Sequence, residues 1–184
     1  MSRCVKGVLF LDYVRMLRSH KGVDWAKHLL PEDVGYLTNK VDLAGWYPMT
    51  TFERMGNAIL TEIAGGQVEG ARMWGRLQVD SVRAQTPSLV AEGDAVETLM
   101  RFRVLRSTFF DFDALRVSDL CEGHATIRVS YHMGAMAEEA ATFQTMGFFE
   151  RLVELAGASA VRGLLLKRSW AGDAETIFEL DWLT

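Results

Sequence analysis

The stretch LRVSDLCEGHATIRVSYH, residues 115–132, is read in steps of two. Leu115, Val117, Ala125, Ile127, Val129 and Tyr131 alternate with Arg116, Ser118, Thr126, Arg128, Ser130 and His132. Successive side chains of a strand point to opposite faces, so this is a pair of strands with one buried and one wet face. Cys121 to His124 form the connection, where Gly123 can take the positive φ that a tight turn requires. After Gly134 the period lengthens to that of a helix: Met136, Ala140, Phe143, Phe149, Leu152 and Val153 lie broadly on one side until Gly157. A second hairpin follows, Ala160 to Trp170 and Glu175 to Trp182, joined across Ala171, Gly172 and Asp173. In its last strand Thr176, Phe178, Leu180 and Trp182 oppose Glu175, Glu179 and Asp181, and only Ile177 breaks the alternation. The order ββαββ predicts an α+β fold: a mainly helical part, residues 1–110, followed by an antiparallel sheet built as ββαββ, residues 111–184, within one domain spanning 1–184.

Upstream the period is helical throughout. Phe10, Tyr13, Val14 and Leu17 form the stripe of a helix ending near Gly22, and Asp24 to Leu37 reads as short helical turns around Pro31. After Pro48, Thr50 and Glu53 have the spacing of a capping box at the start of a helix that buries Phe52, Met55, Ile59, Leu60 and Ile63. Gly65 and Gly66 end it, and Gln67 to Gln85 carries Val68, Ala71, Gly75, Val79 and Val82 at helical spacing. Asp94 with Glu97 offers a second cap, ahead of an apolar ridge of Leu99, Phe102, Leu105 and Phe109.

Composition excludes several classes. With 184 residues the chain can bury about two-thirds of its unfolded surface without staples. A net charge of -4 lacks the basic excess that tracks a phosphate backbone, so nucleic acid is not expected as a partner. No apolar run approaches the roughly 20 residues that span a bilayer, so no membrane insertion is expected. The N-terminal apolar stretch is interrupted by Asp12 and Arg15, unlike a signal peptide, which makes the cytoplasm the expected compartment. Cys4 and Cys121 stand far apart with no metal-ligand spacing, so neither a disulfide nor a metal site is indicated.

No stretch assembles a catalytic constellation. Asp111 and Asp113 flank Phe112, where paired carboxylates could divide acid and base roles, but a solvated turn with a cap accounts for them. Glu138 and Glu139 complement the positive end of a helix. Ser130 and His132 lack an orienting acid, and Cys121 beside His124 reads as a turn cysteine. Gly65-Gly66 has no following Lys-Ser/Thr and is a helix stop, not a phosphate loop. Arg101, Arg103 and Arg106, with Arg83, could grip an anion, although a solvated helix face accounts for them. The adjacent pairs Phe109-Phe110 and Phe148-Phe149 cannot both face one way on a helix. One of each pair is therefore expected to look outward or toward a second subunit, which favours a homodimer or another protein contact.

Several short motifs carry a resemblance over nearly the whole chain. They are Val5-Lys6-Gly7 before an amphipathic helix, Tyr47-Pro48 at a helix start, Leu155-Ala156-Gly157-Ala158 at a helix end, and the closing strand Thr176-x-Phe178-x-Leu180-x-Trp182. Together they resemble a family of paralogous cytoplasmic proteins abundant in myxobacteria. That family is similar in its order of elements to the haem nitric oxide/oxygen binding domains and to the vinyl 4-reductase and Bet3-like group. The resemblance implies a helical part followed by a ββαββ unit, with a small apolar ligand or cofactor in the cleft between them in several members. The haem proteins hold their cofactor with a histidine on a helix and a Tyr-x-Ser-x-Arg cluster. Here Tyr131 is followed by His132, Met133 and Gly134, so that spacing is missing. His28 or His132 could serve as an axial ligand, but ordinary placement suits all four histidines, so no cofactor is expected and haem is disfavoured.

The expectation is thus a non-enzymatic regulatory or sensory module that binds a small apolar molecule between helices and sheet. Phe102, Leu105, Phe109, Phe143 and Phe149 are expected to line the cleft, with Arg103 or Arg106 at its mouth. The alternatives are a protein-interaction module acting as a homodimer and, third, a haem-based gas sensor. The identity of the ligand or protein partner is left open.

Overall fold

The computed structural model describes residues 3–184. Cys4–Lys6 is a short strand, β1, that runs directly into helix α1, Gly7–Ser19. The junction is tight because a Cβ on Gly7 would lie 2.0 Å from the Asp42 carbonyl oxygen, so only glycine fits. A 3-10 turn, Trp25–Lys27, and helix α2, Pro31–Thr38, follow around Pro31. Strand β2, Trp46–Pro48, pairs antiparallel with β1. Helices α3, Met49–Glu62, and α4, Val68–Gln85, come next, and α5, Ala95–Leu105, is capped by Asp94, whose side chain accepts the Glu97 N–H.

The Thr50 capping box does not form. Pro48 belongs to β2 opposite Cys4, and the Met49 N–H already donates to the Arg3 carbonyl, so strand passes into helix before Thr50 is reached. Glu53 instead accepts the Gly134 N–H across the molecule at 2.8 Å.

The second half has the expected order. Strands β3, Leu115–Cys121, and β4, His124–Val129, are joined by Glu122-Gly123 with Gly123 at φ 77°. Helix α6, Ala135–Leu155, leads to β5, Ser159–Lys167, and β6, Thr176–Leu183. The strands lie in the order β3-β4-β6-β5, all antiparallel. Tyr131 alternates with the strand in sequence but lies just past its end.

One apolar cluster runs from Val5 and Phe10 through Phe102 and Phe149 to Phe178 and Trp182, so helices and sheet share a core. The outward phenylalanines are not found: Phe109, Phe110, Phe148 and Phe149 are all buried. Phe109 and Phe110 have left the helix, and α6 is covered on opposite sides, so Phe148 and Phe149 can both reach Phe102 while Phe149 also meets Phe178. The premise that favoured a dimer through these pairs is gone. Among the described residues, no helix is long and apolar enough to cross a membrane.

Helices α4 and α6 approach to backbone contact. A Cβ on Gly75 would sit 1.8 Å from the Gln144 carbonyl oxygen, and one on Gly147 would sit 1.9 Å from that of Arg72. Beside this crossing Arg72 and Arg76 pair with Glu150, and Arg76 also grips Glu154 with two bonds of 2.6 and 2.7 Å. The pairing holds the Glu154 carboxyl below the usual range: burial pushes it up, and Arg76 and Arg151 outweigh that.

Candidate functional site

The α4–α6 crossing fixes where Gln144 points, and Gln144 stands on the wall of a cavity at the seam between helices and sheet. Helix α1 contributes Leu9 and Tyr13 one turn apart, α3 contributes Phe52, and α4 contributes Gln78 and Val82, again one turn apart. The far wall holds Phe102, Phe109, Phe110 and Leu115, with Tyr131 and Met133 from the segment between β4 and α6. The cavity measures about 50 Å³. That is room for a few water molecules, each needing roughly 10–15 Å³.

Its polar groups form two short relays. The Tyr13 hydroxyl donates to Gln144 Oε1 at 2.6 Å, and Gln144 Nε2 donates to Gln78 Oε1 at 3.0 Å. Tyr131 Oη lies 2.7 Å from Thr145 Oγ1, which itself donates to the Ala141 carbonyl at 2.7 Å. Because the single Thr145 hydroxyl hydrogen is used on that carbonyl, Tyr131 is the donor of its pair. Burial pushes both phenols up in pKa, so both keep their protons.

The Tyr131 segment is held from two directions. Buried Glu138, in the first turn of α6, accepts the N–H groups of Tyr131 and Met133, while Arg3 donates to the carbonyls of Tyr131 and His132. A carboxylate at a helix N-terminus thus orders the strand end that delivers the phenol.

Of the residues expected in the cleft, Phe102 and Phe109 stand on this wall with ring centroids 6.1 Å apart. Phe149 is buried one layer behind, 4.7 Å from the Phe102 ring, and Leu105 packs half-buried against the core away from the cavity. Phe143 is half-buried on α6 and off the wall. Arg103 and Arg106 line a separate outer groove with Arg116, Ser118 and Asp119. Arg106 there faces Asp113, whose carboxyl is held below the usual range chiefly by Arg116. Arg101 is taken up by Glu97 and the carbonyls of Ser88 and Val90.

Sequence reasoning missed Gln78, Gln144, Thr145 and the role of both tyrosines. A signal existed: Gln78 shares a helix face with Gly75 and Val82, and Gln144 shares one with Ala140, Ala141 and Phe148. A polar residue on an apolar stripe must find a partner inside.

No protein-family model and no curated protein matches the chain. Solved structures do. An H-NOX protein from S. oneidensis in the Fe(II)NO ligation state superposes with a TM-score of 0.69 at 10% identity, over 97% of this chain and 99% of that one. An Fe(II) unliganded H-NOX mutant from K. algicida gives a TM-score of 0.69 at 14% identity, over 97% of both chains. A structure from the H-NOX family that probes the function of heme distortion gives 0.66 at 13%, covering 97% and 95%.

These likenesses overturn the expectation of no cofactor with haem disfavoured, because heme and Fe(II) proteins share the fold over 97% of this chain. A missing Tyr-x-Ser-x-Arg spacing is no longer an argument by itself. The residues on the wall then say what kind of haem site this would be. His20 and His132 are exposed, His28 pairs with Glu62 at 3.0 Å, and His124 pairs with Asp181 at 2.7 Å, so none of the four lines the cavity. Of the side chains there, Met133 could ligate haem iron as it stands, Tyr13 and Tyr131 only on giving up the protons that burial holds on them, and a porphyrin requires the surrounding rings to part. From end to end the chain is similar to H-NOX proteins in fold, and at 10–14% identity it is the fold that is shared.

Proposed function

We propose that the chain is a ligand-sensing module that holds a small, largely apolar molecule in the seam between its helices and its sheet. The observation that carries this reading is the cavity itself: an apolar lining on which two phenols, two amides and a hydroxyl converge. Ligand sites combine an apolar wall with a few placed polar groups in this way. The reading involves no catalytic step, since these groups bind and orient without a nucleophile or a base beside them. An occupant would press on α1 and α4 from one side and on the Tyr131 segment from the other. The segment is tied to α6 through Glu138, so occupancy would be passed to the helix that contacts both halves. Native mass spectrometry of the purified protein tests the reading: a bound mass removed by mild denaturation is expected. A bare chain that also takes up no apolar probe would remove its basis.

The fold likeness favours a second reading, in which the occupant is haem. Tyr13, Tyr131 or Met133 would then face the iron, and bound haem would supply a metal centre for a diatomic gas. Haemin titration followed by absorption separates the two readings: a saturable Soret band that shifts in Tyr13→Phe, Tyr131→Phe or Met133→Leu supports haem, whereas a band indifferent to all three variants does not. The narrower kinship with paralogous myxobacterial proteins rests on short sequence motifs alone, and that with the vinyl 4-reductase group on the order of elements.

A further inference from the structure

A second cavity of about 180 Å³ adjoins the first. It lies among α1, α3, α4 and α6, and its wall is apolar: Met16, Ile59, Leu60 and Trp74, floored by the small residues Gly56 and Ala140. It reaches the surface at the α3–α4 turn, where Gly70 is exposed. Tyr13, Phe52, Met133, Ala141 and Gln144 line both cavities, so these five residues are a shared partition. Its centre is the stack of Tyr13 on Phe52, with ring centroids 3.9 Å apart.

The polar end has a definite hydrogen-bonding character. Tyr13 donates to Gln144 and Tyr131 donates to Thr145, so each phenol oxygen has spent its hydrogen and retains a lone pair as an acceptor. On the same wall buried Gln78 Nε2 is a donor that lies near the Asp12 carboxyl without closing a hydrogen bond. Among the described residues no charged side chain lines either cavity. A charged head group would therefore lose its hydration with no counter-charge to replace it.

Resting on the reading of the seam as a ligand site, we infer that the two cavities are one bipartite site for a short neutral amphiphile. Its hydroxyl donates to the Tyr131 phenol oxygen and accepts from Gln78, and an aliphatic tail of about six carbons fills the helical cavity. The tail length follows from the volume: an apolar cavity of roughly 150 Å³ is known to admit benzene. Entry is by the α3–α4 turn, and the head passes the partition when the Phe52 ring swings off Tyr13.

Two isomers make the test, n-hexanol and methyl pentyl ether, titrated calorimetrically into the full chain with hexanoate as the charged comparison. The isomers match in size, but only the alcohol can donate. The alcohol is expected to bind about tenfold more tightly than the ether, since an ether leaves the Tyr131 phenol oxygen without a donor. Hexanoate is expected to bind more weakly than either. Tyr131→Phe should bring the alcohol close to the ether, and Ala140→Leu, which fills the tail end, should weaken both. Circular dichroism checks that each variant is folded, and the isomer pair on the unaltered protein decides the matter without them. Equal binding of the isomers overturns the hydroxyl assignment while leaving the seam as an apolar ligand site. Binding of neither isomer overturns the ligand-site reading and this inference with it.

Discussion

The α4–α6 crossing and the cavity seam lie on the same two helices and are built by opposite rules. At the crossing, glycines bring two backbones into contact and an arginine–glutamate ladder closes one side. At the seam, one turn away on each helix, glutamine replaces glycine: Gln78 follows Gly75 by three residues and Gln144 precedes Gly147 by three. The helices are thus locked at the crossing and lined with polar groups where space remains. A ligand site needs such neighbours, because groups meant to meet a ligand must be held by a frame that does not move with them.

The contrast is tested most severely at the lock. In Gly75→Ala a methyl group must displace a carbonyl oxygen on a helix that cannot retreat from the sheet, and overpacking at this limit costs about 3 kcal/mol or more. Urea denaturation should show a large fall in the midpoint, whereas an unchanged midpoint would mean the helices separate freely and no rigid frame exists. Glu150→Gln is the next largest. Its carboxylate is 6% exposed and takes Arg72, Arg76 and the Gly163 N–H, so neutralising it strands the Arg72 guanidinium while Arg76 keeps Glu154. Both arginines are more than a quarter exposed, which discounts a fully buried loss to about 2 kcal/mol, read by the same melt.

The two regions also differ in how far they could be read from sequence. Period-two runs from Leu115 to Val129 and from Thr176 to Trp182 report strands because alternation is a local property of the chain. The order ββαββ and the Asp94 cap followed from the same kind of local signal. Phe102 and Phe109 were placed in the cleft because a large aromatic side chain on a helical ridge has few places to go. Gly75 and Gly147 were legible as residues but not as a contact, since nothing local says which helix a glycine will meet. The relays were hidden for the same reason: Tyr13 and Gln144 are 131 residues apart, and the direction of the Tyr131 hydroxyl depends on what Thr145 does with its own hydrogen. Arg103 and Arg106 misled because a helix-end arginine looks alike whether it guards a cleft or an outer groove.

At the seam smaller effects are expected, because polar groups there gain little net stability from bonds they could also make with water. Tyr131→Phe removes one donor and leaves Thr145 bonded to the Ala141 carbonyl. A loss of about 1 kcal/mol in the same denaturation experiment is expected. A loss as large as that of Gly75→Ala would place the phenol within the frame and erase the contrast.

The smallest effect distinguishes two aspartates. Burial raises the pKa of Asp33, but Arg54, Thr51 and the Leu30 N–H outweigh it and hold the carboxyl below its ordinary value. Asp33 therefore adds stability above its unfolded pKa, and that stability is lost as pH falls through the lower folded value. Asp12, beside Gln78 on the seam, goes the other way: burial raises it, and Ser81, Arg15 and the nearby Gln78 amide compensate only in part. Its favourable contribution is present below the unfolded pKa and is lost as pH rises through the raised folded value, so at neutral pH the ionised carboxylate is a burden. Asp12→Asn should accordingly raise stability at pH 7, with the gain vanishing near pH 3.8, the unfolded pKa. Asp33→Asn should lower stability at pH 7 and flatten the acid limb of the profile. Stability measured across pH for the two variants should give slopes of opposite sign, as expected of one carboxylate whose burial is outweighed by its partners and another whose burial is not.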